Sequence, residues 1–205
     1  MSRASCFLLS ILIACGVQAQ QASSAPASRA KPAVLEPGEI SDGVYRSAFF
    51  GFSYKLPYGF VDRTQQMQED SGDAAKSRVL LGAFEHPPEV TGSAVNSAVV
   101  IAAESAASYP GLKDAAQYFG PLGEVTTAKG LTAVNEPYEF PVDAKPIVRC
   151  DFVKKLGGVT MYQSTLALLA RGYVVSFTFI GGSDEEVTML IENLVFGKVK
   201  TGAHK

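Results

Sequence analysis

Cysteine and histidine are scarce in this 205-residue sequence, with three of the first and two of the second. Cys6 and Cys15 fall inside an apolar N-terminal stretch, so removal of that stretch leaves Cys150 alone. A lone thiol excludes an intramolecular disulfide framework and a cysteine-based metal cluster. His204 lies in the polar tail, which leaves His86 for any histidine triad or zinc site. Pro87-Pro88 follow it at once. Histidine bases and ligands work with partners, so His86 is expected in a loop. Charge of one sign is lacking too: 18 Lys and Arg stand against 20 Asp and Glu, for a formal net charge of −2. Without a basic excess or a polybasic run, neither a phosphate-neutralising nucleic-acid surface nor a basic membrane patch is expected. Asn-X-Ser/Thr acceptors are missing, since Asn96, Asn135 and Asn193 have no hydroxyl residue two positions on. That fits a bacterial envelope better than a eukaryotic secretory route.

What is present at the N-terminus reads as a leader. Arg3 supplies a positive start, and Phe7 to Ala14 is an apolar run too short to span a bilayer. Val17-Gln18-Ala19 puts small residues where a leader peptidase reads, so residues 1–19 are expected to be cleaved between Ala19 and Gln20. Leu12-Ile13-Ala14-Cys15 supports a second route, in which Cys15 is acylated and anchors a lipoprotein. Removing the leader deletes only Arg3 from the basic set, and the mature form is expected to carry no transmembrane span.

Residues 20–41 begin with an Ala-, Ser-, Pro- and Gln-rich stretch that has neither helical nor strand period. Such composition cannot bury enough apolar surface to offset its ordering entropy, so a flexible tether is expected. The composition is otherwise that of a globular protein, 47% hydrophobic and 19% charged, and residues 42–197 suit one domain. Short strands are expected at Val44–Ser47 and Phe52–Leu56, and buried ones at Val79–Phe84 and Ala98–Ala102. Residues 64–77 read as a loop or weak helix. A helix over residues 111–129 is expected to be interrupted by Gly120-Pro121, and Thr132–Phe140 reads as a strand that Pro137 confines to an edge or bulge. Three long β-rich runs, Ile147–Lys155, Val159–Leu169 and Tyr173–Ile180, are separated by glycine turns and read as a meander. Tyr173, Val175, Phe177 and Phe179 point one way and Val174 and Ile180 the other, so the sheet wants covering on both faces. Ser183-Asp184-Glu185-Glu186 is a capping box, followed at helical spacing by Val187, Leu190, Ile191, Leu194 and Val195. Gly197 is expected to end that helix, and residues 198–205 form a polar tail.

Tyr45-Arg46-Ser47, followed by Gly51-Phe52-Ser53-Tyr54-Lys55-Leu56-Pro57-Tyr58-Gly59-Phe60, resembles the opening motif of the PsbP-like superfamily. Ser47 stands where that family often has Asn, and Phe60 where Trp is commoner. The resemblance extends in element order over residues 43–197. It implies an α+β fold, a largely antiparallel sheet covered by helices on both faces in an α-β-α sandwich. It also implies a non-enzymatic binding or assembly role, and it carries over no functional residue.

Catalytic motifs are wanting. Gly51-Phe52-Ser53-Tyr54-Lys55 begins like a nucleophile elbow but ends in Lys and sits within a strand. Gly181-Gly182-Ser183 precedes a helix whose first turn is already acidic, which repels an anion. Glu69, Asp70 and Asp73 match no calcium-loop spacing and read as a solvated loop. Cys150 alternates with Val148 and Phe152 and reads as a buried thiol. One polar patch remains, Arg149, Asp151 and Tyr162. A two-residue turn at Gly157-Gly158 would set Asp151 opposite Ser164 and Val153 opposite Tyr162, with Arg149 and Asp151 on one face as a structural ion pair or a ligand-facing patch. The expected function is an exported binding or assembly module of the cell envelope, periplasmic or extracellular, without catalysis, cofactor or metal, whose partner is a protein or small ligand of the envelope. The alternatives are a lipoprotein anchored through Cys15 with a structural role, and a hydrolase using carboxylates such as Asp62 or Glu139.

Overall fold

The computed structural model describes residues 35–70, 77–87 and 95–197. The leader, most of the tether, Asp73 and the tail after Gly197 lie outside them. Pairing begins at β1 (Glu39–Ser41), which joins β2 (Val44–Ser47) through Asp42-Gly43. Both turn residues have positive φ, 52° and 69°, as a two-residue type I′ hairpin requires. Regular structure therefore starts ahead of Asp42, where the sequence places the domain boundary, because Asp42-Gly43 is a turn between two strands. β3 (Phe52–Lys55) pairs with β2, and β4 (Val61–Asp62) leads into α1 (Thr64–Asp70). Asp62 caps this short, unburied helix by accepting from the Thr64 amide at 2.9 Å.

β5 (Ser77–Phe84) and β6 (Ala98–Ser105) pair antiparallel. A segment with 3₁₀ turns at Ala106–Ser108 and Ala116–Tyr118 then leads into α2 (Phe119–Ala128). Tyr109 and Tyr118 fasten this segment to the sheet, both hydroxyls donating to the Glu104 carboxylate, Tyr118 at 2.6 Å. Gly120-Pro121 does not interrupt the helix as the sequence reading expects. It lies in the first turn, where an amide has no partner within the helix and proline costs little.

Residues 132–142 form two strands instead of one: β7 (Thr132–Ala133) and β8 (Tyr138–Val142) both run along β9 (Lys145–Leu156). Pro137 lies in the break between them. β10 (Val159–Ala170) and β11 (Tyr173–Gly181) complete the meander. The first hairpin turns at Gly157-Gly158 and sets Ser164 against Asp151 and Tyr162 against Val153, the register the two-residue turn predicts. At the second hairpin Arg171 and Gly172 both have positive φ.

All strand pairs among the described residues are antiparallel. The large sheet runs β4-β5-β6-β11-β10-β9-β7, with β8 also on β9. A small sheet runs β1-β2-β3, closed by β12 (Leu194–Phe196) on the far side of β3. The architecture is α+β and largely antiparallel. On one face of the large sheet Val175, Phe177 and Phe179 pack against Tyr45, Phe52 and Tyr54 of the small sheet and Val187, Leu190 and Ile191 of α3 (Asp184–Ile191). Each such large apolar side chain contributes about 1.5–3 kcal/mol on burial. On the other face Val174, Ala167 and Phe152 pack against Tyr118, Phe119 and Leu131. The layer over the first face is thus a small sheet with one helix, where an all-helical cover is expected from the sequence.

The end of the chain differs as well. The apolar stripe expected to run on through Leu194 and Val195 stops at Ile191, and Leu194–Phe196 form β12. Backbone pairing with the edge of β3 wins over continued helix: Leu194 is buried against Tyr54, while Val195 is exposed. Gly197, at φ 114°, ends the strand. The cap is present, with Ser183 Oγ accepting from the Glu186 amide at 3.2 Å. The Glu186 carboxylate reaches back past the cap to the Gly182 amide at 2.8 Å and also accepts from the Ser97 hydroxyl.

Candidate functional site

The break between β7 and β8 sets up the polar centre of the molecule. Thr132 faces Val153 and Ala133 faces Phe152. Continued in that register, Glu136 would face Arg149, but Tyr138 does so instead, leaving two extra residues in the outer strand. Pro137, within the break, has no amide to donate and so supplies no rung there. The slack lets Asn135 turn inward. Its Nδ2 donates to Asp151 Oδ2 at 2.7 Å, and its Oδ1 accepts from the Asp151 amide at 3.1 Å. The side chain thereby replaces a lost rung of the sheet.

Asp151 collects further donors. Arg149 Nε donates to Oδ1 at 2.7 Å, the Ser164 hydroxyl donates to the same oxygen, and the Tyr138 hydroxyl approaches Oδ2 at 3.3 Å. Arg149 Nη2 donates to Ser164 Oγ at 3.1 Å, and its guanidinium stacks 4.9 Å from the centre of the Phe140 ring. The pair is well sheltered, with side-chain exposures of 9% for Arg149 and 16% for Asp151. Burial opposes ionisation of Asp151. The hydrogen bonds from Ser164, Asn135 and Arg149 and the charge of Arg149 outweigh it and hold the carboxyl below its usual range.

A cleft of about 480 Å³ opens over this network. Its walls come from Val134 and Asn135 at the strand break, Tyr138 of β8, Tyr162 of β10, and Asp184 and Thr188 on α3. That volume lies within the range of small-molecule sites. Tyr162 stands in the wall but makes no hydrogen bond to Arg149 or Asp151, so the patch read from the sequence divides into an ion pair and a separate aromatic wall. Asn135 and Tyr138 carry no role in the sequence reading, and Asp184 appears there only as part of the acidic first turn of α3. Asn135-Glu136-Pro137, an amide residue just ahead of an edge-strand proline, is the local signal that points to the first.

The other candidates lie apart from the cleft. His86 is exposed, held by its main chain to Asn96. Ser53 is buried within β3 between Arg46 and Val195. Burial, and then the charges of Asp151 and Glu136, push the Cys150 thiol up to about 11, and it packs with Phe152 in the second core. Gly182 has its amide occupied by Glu186. Glu69 and Asp70 lie on α1. Asp62 and Glu139 sit on opposite edges of the large sheet with five strands between them, whereas the two carboxylates of a glycosidase lie within about 10 Å. Among the described residues no group of three or more His, Cys, Asp or Glu could hold a metal ion, and no helix is long and apolar enough to cross a membrane. Cys15, Ala19 and Gln20 fall outside the described residues.

No protein-family model matches the chain, and no curated protein matches it. Among solved structures it is similar to the cyanobacterial PsbP of Synechocystis sp. PCC 6803, with TM-score 0.49 and 14% identity over 75% of this chain and 91% of that one. It is also similar to LpqN, involved in cell envelope biogenesis of Mycobacterium tuberculosis, with TM-score 0.42 and 11% identity over 72% and 83%.

Proposed function

We propose that this protein is an exported cell-envelope module that binds a ligand in the cleft above Asp151 and performs no catalysis. The observation that carries it is the saturation of Asp151. Both carboxylate oxygens already accept from protein donors, and the group is held ionised beside Arg149. A general acid or base needs a proton it can exchange near the operating pH and room for a reacting atom. This carboxylate, ionised and with both oxygens already accepting from protein donors, lacks the first and serves as a rigid floor to the cleft. Export is supported by the leader pattern of residues 1–19, with cleavage between Ala19 and Gln20. Acylation at Cys15 is the competing outcome, and residues 20–38 would then hold the domain off the membrane. The PsbP-like motif at residues 45–60 supports a binding or assembly role, an inference from fold class.

The test is a cleft-filling substitution. Thr188→Trp, at an exposed position on the cleft wall, should abolish the biological role in cells lacking the native protein. His86→Ala and Cys150→Ala should retain it. Retention by a well-folded Thr188→Trp protein would remove the cleft from the function.

A further inference from the structure

Sorting the cleft's charges by partner leaves one over. Arg149 and Asp151 neutralise each other at 2.7 Å, and the other Asp151 oxygen is taken by Asn135 and Tyr138. Asp184, the first residue of α3, also lines the cleft, and among the described residues its carboxylate has no hydrogen bond or ion pair. Its field reaches the opposite wall. Burial first, then the charge of Asp151 and also that of Asp184, raise the Tyr138 hydroxyl above its usual range, with Arg149 opposing.

The remaining surface matches that charge. Tyr138 and Tyr162 place two aromatic rings in the same cleft, and the Tyr162 hydroxyl has no hydrogen bond among the described residues. Val134 and Val153 add an apolar strip. An ammonium group gains from a ring face, from a charge-assisted bond to a carboxylate and from a phenol oxygen that can accept. An anion gains little. The N-terminus of α3 would favour one, but its capping amide is taken by Ser183 and its first turn carries Asp184, Glu185 and Glu186. Arg149 is engaged through Nε and Nη2.

Given the binding role proposed above, we infer that the cleft takes a small organic cation, a primary alkylammonium group on a short aliphatic stem. The ammonium sits between Asp184 and the two tyrosines, and the stem lies along Val134 and Val153.

The experiment titrates the protein purified from its native host with three probes of matched length, 1,5-diaminopentane, 1-pentanol and glutarate, following amide resonances by NMR. Saturable shifts at Tyr138, Tyr162 and Thr188 with the diamine alone are expected, weakened by added salt. Asp184→Asn, an exposed change, should weaken binding roughly threefold to tenfold, and Tyr162→Leu should weaken it independently. Saturation of the same amides by glutarate or pentanol instead would overturn the cation and leave the cleft as a binding site. Shifts with none of the three would also overturn it, and the cleft-filling substitution decides the broader role separately.

Discussion

Asn135 and Asp151 are joined twice across the broken edge of the large sheet, at 2.7 Å through the carboxylate and at 3.1 Å through the main-chain amide. One side chain thus serves as a rung of the ladder and as a partner for a sheltered charge. The cleft exists because the strand breaks there, and the break is tolerable because Asn135 fills it.

Asn135→Ala removes both bonds and leaves the Asp151 amide and one lone-pair side of its carboxylate without those partners. A loss of about 1–3 kcal/mol is expected, read from the urea midpoint at constant m. An unchanged midpoint would mean that water replaces Asn135 at no cost and that the break is held by other means.

Arg149→Met should be costlier, about 3–5 kcal/mol, because it strands a sheltered carboxylate without its counter-charge. Ser164→Ala leaves the charge pair in place and should cost less. An Arg149→Met loss no greater than that of Ser164→Ala would contradict the ion pair as the anchor of the site.

Acid should act through Asp151. Its carboxyl is depressed in the folded protein relative to the ordinary value of 3.8, so its contribution is fully present above that value and is lost as pH falls through the lower folded value. The stability gap between the native protein and Asp151→Asn should therefore be constant above about pH 5 and close below about pH 4. A gap independent of pH down to 2 would show that Asp151 carries no depressed titration.

The Cys150 thiol, pushed up to about 11 by burial first, should be inert in the native state. Alkylation at pH 8 should proceed at the rate of global or local opening and become fast in 6 M urea. Rapid modification of the folded protein would place this thiol on an accessible surface.

Much of the meander was legible in the sequence. Glycine turns at 157–158 and 171–172 punctuate β-rich runs, and turn length fixes register, so the pairing of Asp151 with Ser164 follows from the sequence itself. The C-terminal stripe misled for a physical reason. Leu194 and Val195 keep helical spacing, but the free edge of β3 offers backbone partners that a longer helix could not use. Leu194→Ala should still cost about 2–5 kcal/mol, since the residue is buried as expected, though on a strand. Ser183→Ala should cost about 1 kcal/mol through the cap. The cleft itself was hidden, because Asn135, Tyr138 and Asp184 meet only through strand pairing and helix docking, which leave no linear spacing.

The most direct measurement is native mass spectrometry of the protein after exposure to a small-molecule extract of its host's envelope, with Thr188→Trp in parallel. The expected result is one non-covalently retained molecule, recovered chemically unchanged after prolonged incubation and absent from the variant. Equal retention by Thr188→Trp, retention of nothing by the native protein, or release of an altered molecule would contradict a non-catalytic binding cleft above Asp151.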